Sequence, residues 1–186
     1  VADDRPDTAL ESRRVGLSTL IANDLAAEHR YLGHVLVRLL RERLAGIEEV
    51  ELLLIDAPLD ALPRQVASSA NLDLFVWGEI ESISNHLALE MQAFDAKLVR
   101  TVWSYQESGD SDVLLASIES IADSLASVLL EGPWSRLVVE PIPVDSSVWL
   151  DGVLIGIGTT LLRYTEARRA KLKISRSGYR DTIQQV

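Results

Sequence analysis

Residues 72–108, LDLFVWGEIESISNHLALEMQAFDAKLVRTVWSYQES, hold the pattern that decides the fold. The first segment, LDLFVWGEIESI, is apolar over enough of its length to predict a strand buried inside a sheet. The second, HLALEMQAFDA, alternates apolar and polar side chains, as a strand does when one face is buried and the other is wet. The third, LVRTVWSYQES, follows directly, so the last two segments predict an antiparallel hairpin.

On the amino-terminal side the sequence predicts a strand followed by a long helix. Residues 14–23 alternate loosely as a first strand, and Asn23 and Asp24 are residue types that cap helices. Over residues 26–44, apolar side chains recur at helical spacing with charged side chains between them. This pattern indicates an amphipathic helix that packs one face on a sheet.

The segments on either side of these elements complete an alternation of strands and helices. Residues 50–57, VELLLIDA, are a continuous apolar run and predict a strand buried on both faces. Pro58 and Pro63 bracket a turn and a short helix. After the hairpin, Asp110 can cap a last helix over residues 112–130. The predicted order is β-α-β-α-β-β-β-α, an α/β domain with a mixed sheet.

The chain changes character at the Gly-Pro-Trp of residues 132–134, after which no helical period recurs. We therefore predict an α+β protein of two domains, with the α/β domain over residues 14–131, a small all-β sandwich over residues 136–186, and a flexible lead over residues 1–13. Short strand-like runs support the second domain: residues 137–140, 147–150, 171–175 and 181–186.

Charge is divided unevenly between the two parts of the chain. Residues 1–134 carry 10 basic and 23 acidic side chains, whereas residues 135–186 carry 8 basic and 5 acidic, which gives the net charge of -10 for the whole chain. The acidic first part would be repelled by phosphate backbones, and the excess of three positive charges in the second is too small for a nucleic-acid footprint. We expect no nucleic-acid partner. The chain has no cysteine, which excludes disulfides, thiolate metal sites and cysteine nucleophiles.

No apolar run approaches the roughly 18 to 20 residues that a membrane-spanning helix needs. The first residues are polar and acidic, and the chain starts at Val1 rather than at methionine. We therefore expect a mature form from which a signal sequence has been removed, and a lipid-bearing cysteine upstream of Val1 is compatible with this expectation.

The second part of the chain contains a set of residues that matches a known pattern of strands and turns: Val138-Val139, Pro141 or Pro143, Val148-Trp149-Leu150, Asp151-Gly152, Gly158-Thr159, residues 172–174 and Gly178-Tyr179. In these residues it resembles the PEGA domain, a small β-module of the bacterial cell envelope. The resemblance departs from the family pattern at residues 144–147, which replace the turn that gives the family its name, and at Thr160, where a proline is usual. It implies a non-catalytic β-module whose turns are formed by Asp151, Gly152, Gly158, Gly178 and Tyr179.

The turn residues also have a direct physical interpretation. Asp151-Gly152 suits a type I′ hairpin turn, in which both central residues have positive φ. A phosphate-binding loop is the alternative for Gly152, Gly156 and Gly158, but their spacing differs from the dinucleotide fingerprint and no helix follows.

The first domain contains a second set of matching segments: Val15-Gly16-Leu17, the helix at Leu39-Leu40, residues 73–78 and residues 87–95. In these segments residues 14–131 resemble the amino-terminal domain of TolB and related curli-assembly and penicillin-binding-protein activator lipoproteins. Members of these families bind other envelope proteins and are not enzymes, so the resemblance implies a role in assembly or scaffolding.

Candidate catalytic and metal-binding residues are few. Of the three histidines, His29 and His34 are five residues apart, so they do not share a helix face as a metal-binding pair would. No Gly-x-Ser-x-Gly elbow supports a Ser-His-Asp arrangement. The pair Glu79 and Glu81 could perform acid–base chemistry or hold a metal, whereas the alternative is the solvated face of a strand. Glu48-Glu49 is open to the same two interpretations. We expect no enzyme activity and no cofactor or metal.

The four tryptophans are widely spaced. Trp103 and Trp149 lie on predicted strands, where each ring either packs in a core or forms a sugar-binding platform. Trp134, beside the Gly-Pro linker, could pin the two domains together. Trp77 falls in the buried strand of residues 72–83.

One basic surface stands out in the acidic first domain. Arg30, Arg38, Arg41 and Arg43 are predicted to form a ridge on the outer side of the helix over residues 26–44. The ridge is either a docking surface for an acidic partner or a set of solvated side chains paired with Glu28 and Glu42.

We therefore predict a non-catalytic scaffold or assembly accessory protein, periplasmic or associated with the outer membrane of a bacterium, that binds other envelope proteins. A module that binds carbohydrate, either peptidoglycan or a surface glycan, is the alternative, motivated by the β-module and Trp149.

Overall fold

The computed structural model describes residues 12–23, 25–47, 49–58, 60–84, 86–130, 134–158, 161–166 and 169–186. Most of the predicted lead, residues 1–13, and the Gly132-Pro133 linker lie outside the described residues. The chain divides into two compact units, the first ending at Leu129 and the second beginning at Leu130.

The first unit has mixed α/β content, as the sequence predicts. Its elements in chain order are β1 (Arg13–Ser18), β2 (Ile21–Asn23), α1 (Leu32–Leu44), β3 (Val50–Ile55), α2 (Pro63–Ser69), β4 (Leu74–Ile83), β5 (His86–Asp95), β6 (Arg100–Gly109), α3 (Ser111–Ala116) and α4 (Ile118–Leu129). A short 3-10 turn, Ala27–His29, precedes α1.

The strands of the first unit form one mixed sheet in the order β3-β1-β4-β5-β6, with β2 continuing alongside β4. Strand β1 runs parallel to both β3 and β4, whereas β5 is antiparallel to its two neighbours, β4 and β6. The prediction of a mixed sheet with a β5–β6 hairpin is therefore confirmed. Leu87, Leu89, Met91 and Ala93 are buried, because alternate side chains of β5 point into the core.

Helices cover the sheet on both faces, but not to the same extent. On one face, α1 and α4 pack together and bury their apolar stripes, including Leu36, Leu40, Ile121 and Leu125. On the other face, α2 contributes Val66 and Ala67 to a cluster with Leu72, Phe75 and Phe94. This second cluster lies at one end of the sheet, near the start of β4 and the end of β5.

The predicted first strand, residues 14–23, is interrupted in the structure. Thr19 and Leu20 separate β1 from β2, and the Leu20 side chain turns into the core. A Cβ atom at Gly33 would lie 2.7 Å from the Leu20 carbonyl oxygen, so the glycine lets α1 approach this break closely. The strand breaks because Leu20 is buried between the sheet and α1.

Both long helices differ from the prediction: the first begins later, and the last is divided into α3 and α4. The α-helix starts at Leu32 rather than near residue 26, Asn23 belongs to β2, and Asp24 lies outside the described residues. The last helix is divided at Ser117, whose hydroxyl donates to the Leu114 carbonyl oxygen at 2.8 Å. Such side-chain bonds to the preceding turn compete with the helical ladder.

The cap of the last helix is confirmed. The Asp110 carboxylate accepts hydrogen bonds from the Asp112 and Val113 backbone N–H groups at 3.1 and 3.0 Å. These groups lack a helical partner at the start of any helix, so the carboxylate stabilises α3 by about 1 kcal/mol.

Strand β3 was predicted to be buried on both faces, and this is wrong. It lies at the edge of the sheet, next to β1 only. Glu51 is exposed and Leu54 is 57% exposed. A continuous apolar run fits a central parallel strand, but here no further strand of the described chain covers the outer side of β3.

The second unit is a small β-sandwich built from two sheets. Its strands are β7 (Trp134–Val139), β8 (Ser147–Leu150), β9 (Val153–Ile157), β10 (Leu161–Glu166), β11 (Lys171–Ser175) and β12 (Thr182–Gln185). One sheet has the order β12-β11-β8-β9, and the other pairs β10 with β7. Val139, Val148, Ile155 and Leu172 form its core. The predicted α+β class is confirmed, although the strand-like runs identified in the sequence did not include β9 and β10.

Candidate functional site

An open groove lies on the first unit's sheet, on the same face as α2 but beyond the cluster that α2 covers. Trp77, Glu79 and Glu81 alternate along β4 on this face, and their partners on β5 are Gln92, Glu90 and Ala88. We call this surface the acidic groove. It encloses about 390 Å³ and is lined by Glu79, Glu81, Ile83, Ala88, Leu89, Glu90, Gln106, Glu107 and Ser108.

The predicted pair Glu79 and Glu81 therefore lies in a groove, and the structure adds Glu90 to it. Glu90 is the Cα partner of Glu79 across β4 and β5, and the Gln92 amide donates to the Glu90 carboxylate at 2.7 Å. Within the described residues, no group of three His, Cys, Asp or Glu side chains is arranged to hold a metal ion. The acidic groove can attract cationic groups electrostatically.

The four predicted arginines lie on α1 or in the turn before it. Arg38 and Arg41 are exposed on α1, and Arg38 Nε lies 4.0 Å from Glu42 Oε1. Arg43 instead reaches towards α4, where its Nη2 lies 3.5 Å from Glu119 Oε1.

Arg30 lies in the turn between the 3-10 segment and α1, and its Nε donates to the Leu25 carbonyl oxygen at 3.5 Å. The docking surface formed by the four arginines stays a prediction.

The histidines lie on separate elements. His34 is exposed on α1, and His86 is exposed at the start of β5. His29 lies in the 3-10 turn, and its buried Nδ1 atom has no hydrogen-bond partner within the described chain. Glu48 lies outside the described residues and Glu49 is exposed, so no structural observation joins that pair into a site.

An ion-pair cluster fixes the opposite end of the first unit's sheet. Asp95 is buried, and its carboxylate lies 2.9 Å from Arg13 Nη2. The same carboxylate accepts from the Lys97 and Leu98 backbone N–H groups at 2.9 and 2.8 Å, which fixes the turn of the β5–β6 hairpin. A second carboxylate, that of Asp73, lies 3.4 Å from Lys97 Nζ.

Asp73 is held in its charged form by these neighbours. Partial burial by itself would raise the pKa of its carboxyl group, but a hydrogen bond from the Arg14 backbone N–H, at 2.9 Å, and the Lys97 ammonium together lower the pKa below its ordinary value. This cluster stabilises the hairpin and has the geometry of a structural ion pair.

A second surface lies on the outward face of the second unit's four-stranded sheet. Leu154, Trp149, Lys173 and Ile183 are successive Cα partners on β9, β8, β11 and β12. We call this line of side chains the outer row. Their sequence neighbours Val148 and Leu172 point the other way, into the core, because side chains alternate along a strand.

The outer row borders a groove of about 370 Å³, lined by Trp149, Gly152, Lys171, Lys173 and Ile183. Lys173 Nζ lies 2.8 Å from Asp181 Oδ2. Hydrogen bonds from the Lys173 side chain and, with a smaller effect, from the Ser175 side chain lower the pKa of the exposed Asp181 carboxyl group.

The Asp151-Gly152 turn closes one end of this groove. The two residues have φ values of +48° and +88° and connect β8 to β9. The Asp151 carboxylate accepts from the Lys171 backbone N–H at 2.7 Å, and the Asp151 N–H donates to the Lys171 carbonyl oxygen at 2.9 Å. The turn thus fixes the position of the Lys171 backbone beside the groove.

The other predicted turn residues lie elsewhere in the second unit. Gly158 follows β9 with a φ of +145°. Gly178 has a φ of +83° and precedes Tyr179, an exposed ring whose centroid lies 5.0 Å from the Arg176 guanidinium carbon.

The tryptophans have different surroundings. Trp103 is buried and its Nε1–H donates to Ser124 Oγ at 2.7 Å, so it belongs to the core. Trp77 stacks on Phe75, with ring centroids 5.7 Å apart. Trp134 packs edge-on against Tyr164 of its own unit, with ring centroids 5.5 Å apart. Trp149 faces outwards and is half-buried.

Sequence reasoning identified Trp149 but missed the residues that surround it. The alternation in Lys171–Ser175, KLKIS, places both lysines on one face, which the sequence shows. That this face lies beside Trp149 depends on the pairing of β8 with β11.

None of the helices in the described residues is long and apolar enough to span a membrane.

No protein-family model and no curated protein matches this chain. The resemblance of residues 136–186 to the PEGA domain therefore stays a prediction.

Several solved structures are similar to this chain at low sequence identity. The PelC dodecamer from Paraburkholderia phytofirmans has a TM-score of 0.44 and 18% identity, covering 68% of this chain and 93% of that chain. TolB from Acinetobacter baumannii has a TM-score of 0.46 and 10% identity, covering 92% of this chain and 38% of that chain. The LpoB C-terminal domain from Salmonella enterica has a TM-score of 0.39 and 15% identity, covering 56% of this chain and 87% of that chain.

Proposed function

We propose that this protein is a non-catalytic scaffold or assembly accessory protein of the bacterial cell envelope that binds other envelope proteins. The observation that carries the proposal is the exposed apolar surface of the second unit. Its exposed large apolar side chains are Val138, Ile142, Val144, Val153, Leu154, Ile157, Tyr179, Ile183 and Val186.

Exposed apolar side chains in such numbers are costly for a small unit that has no partner. Ile142 is 90% exposed and Ile157 is 61% exposed, although the core of the same unit is centred on only four buried side chains. Scattered apolar residues on a surface need no explanation, whereas a contiguous apolar patch is typical of a surface that contacts another protein. Leu154 and Ile183 lie on one line across the four-stranded sheet, and Val153 and Ile157 lie on its edge strand β9. Their burial against a partner would contribute roughly 25 cal/mol per Å² of apolar area.

The first unit has charged surfaces of its own. The acidic groove suits cationic groups, whereas Arg38 and Arg41 reverse the sign of charge locally within a strongly acidic part of the chain. Charge of this kind steers association and selects partners, and it contributes less to affinity than apolar contact does.

The location in the envelope, periplasmic or at the outer membrane, is part of the same proposal. It is supported by the sequence resemblance of residues 14–131 to the TolB amino-terminal domain and by that of residues 136–186 to the PEGA domain. Both resemblances point to proteins that bind without catalysis.

Site-specific photo-cross-linking in the native host tests the proposal. A photoreactive amino acid at Ile157 or Ile142 should give a discrete covalent adduct with an envelope protein, identified by mass spectrometry. The same probe at Ser177, an exposed polar position of the same unit, is the matched control and should give none. The absence of adducts at both apolar positions, or adducts only with proteins from outside the envelope, would contradict the proposal.

A further inference from the structure

The outer row is a continuous line of side chains across four strands. Each member is the Cα partner of the next, in the order Leu154, Trp149, Lys173, Ile183. Neighbouring strands lie about 4.8 Å apart, so the row extends over about 14 Å. An indole ring therefore stands near the middle of the row, with apolar side chains at both ends and an ammonium group beside it.

The backbone under the row is held in place. Val148 and Leu172 pack into the core directly beneath it, and the two hydrogen bonds between Asp151 and Lys171 connect the β8–β9 turn to β11. A surface built on paired strands with a packed underside is pre-organised, which lowers the entropy cost of binding a ligand.

The charge around the row is mixed, because Asp181 lies beside Lys173 and the Asp151 carboxylate accepts from the Lys171 backbone N–H. None of the five residues that line the groove is acidic. Lys173 is paired with Asp181, whereas the Lys171 side chain is exposed and lines the same groove as Trp149. A ligand with carboxylates can therefore reach an exposed ammonium group near an aromatic ring.

The size of the groove favours a ring-sized ligand over a protein. About 370 Å³ is within the usual range of roughly 300 to 1,000 Å³ for small-molecule sites. A protein partner typically covers about 800 Å² on each side, far more than five lining residues provide. A sugar ring fits better, because its C–H face packs on an indole while its polar edges reach flanking donors.

We propose that the outer row, together with Lys171, binds a carboxylated sugar chain: Trp149 packs on the sugar ring, and Lys171 pairs with the carboxylate. This site goes beyond the protein-binding function proposed above and does not depend on it. The absence of cross-links at both Ile157 and Ile142 would contradict the protein-binding proposal without affecting this one. The absence of sugar binding would contradict this proposal without affecting the protein-binding one.

Isothermal titration of the whole protein with short oligogalacturonate, a soluble carboxylated sugar chain, tests the proposal. We expect saturable binding that weakens as salt is raised, because an exposed ion pair is screened. A neutral chito-oligosaccharide of similar length should bind about two- to fivefold more weakly, because an exposed ion pair contributes at most about 1 kcal/mol. Polyglutamate, which carries carboxylates but no sugar ring, should bind more weakly by a similar factor.

Substitutions at two positions distinguish the contribution of the Trp149 ring to binding from that of the Lys171 charge. Trp149→Ala should weaken oligogalacturonate binding about tenfold, and Trp149→Phe should retain part of it. Lys171→Ala should weaken binding and reduce its salt dependence, whereas Lys171→Arg should restore it. Because the Lys171 side chain is exposed, its variants keep the test valid even if Trp149→Ala unfolds the unit. Lys97→Ala, in the first unit, is the matched control and should bind as the wild type does.

Three results would overturn the proposal. The first is no binding of oligogalacturonate at all. The second is equal binding of polyglutamate, which would show that the surface recognises acidic polypeptides. The third is binding that is unchanged in both Trp149→Ala and Lys171→Ala.

Discussion

The two units of this protein bury their apolar side chains to different extents. In the first, helices α1 and α4 close one face of the sheet, and Leu32, Leu36, Leu40 and Leu44 are almost completely buried. In the second, two small sheets enclose a core centred on four side chains, while many large apolar side chains stay on the surface. The first unit is therefore built to be stable by itself, and the second keeps much of its apolar surface available for contact.

The largest effect is expected from a cavity in the first unit's core. Leu40→Ala should lower the free energy of unfolding of that unit by about 2 to 5 kcal/mol, because Leu40 is fully buried between helix and sheet. Hydrogen exchange with mass spectrometry should show faster exchange in α1 and β1, while β8 and β11 keep wild-type protection. Equal loss of protection in both units would mean that they unfold as one cooperative body.

A smaller effect is expected from the equivalent change in the second unit. Val148→Ala removes two methyl groups from a fully buried site and should cost about 2 kcal/mol. Because the second core is small, this loss should shift the exchange of β8 and β11 strongly. Val138→Ala, at a half-exposed position of the same unit, is the control. Wild-type protection in Val148→Ala would show that the second unit draws its stability from elsewhere.

A substitution at Gly152 tests the effect of backbone strain on the stability of the second unit, whereas Val148→Ala tests the effect of packing. A Cβ atom there would meet no neighbouring atom within 4 Å, so the cost of Gly152→Val comes from the φ of +88° alone. We expect a loss of roughly 1 to 3 kcal/mol, measured by urea denaturation. Gly152→Asn should lose less, since asparagine tolerates a left-handed conformation. An unchanged midpoint for the valine variant would mean that the strain is relieved by movement of the turn.

The smallest effect is expected on the pH dependence of stability. It is tested at one carboxylate in each unit, Asp73 in the first and Asp181 in the second. The pKa of Asp73 is lowered in the folded state, so its contribution to stability is present above its unfolded pKa of about 3.9 and is lost as pH falls through the folded value. Asp73→Asn should therefore lower the melting temperature at about pH 7 and have little effect near pH 2.

Asp181 provides the comparison for Asp73. Its pKa is also lowered, but its carboxylate is more exposed than that of Asp73, so Asp181→Asn should change the pH profile of stability less than Asp73→Asn does. A larger change in Asp181→Asn would indicate that the Lys173–Asp181 pair stabilises the second unit more than an exposed pair usually does.

The sequence by itself determined the elements whose signal is local. Alternation along β5 fixed which side chains are buried, and the type of residue at Asp110 fixed the start of α3. Asp151-Gly152 indicated the turn between β8 and β9, because few residues accept two successive positive φ values. Each of these features depends on neighbours within a few residues along the chain, so a single sequence is enough to predict them.

Only the tertiary structure decided how these elements meet. An apolar run such as β3 is compatible with a central strand or an edge strand, and the order of the sheet placed it at the edge. Trp103 and Trp149 have similar patterns in the sequence, but Trp103 faces α4 and Trp149 faces outwards. The pairing of β8 with β11 brings Lys173 beside Trp149. Such pairings join segments far apart in the chain, and local periodicity sets the faces of a strand without specifying which strand lies next to it.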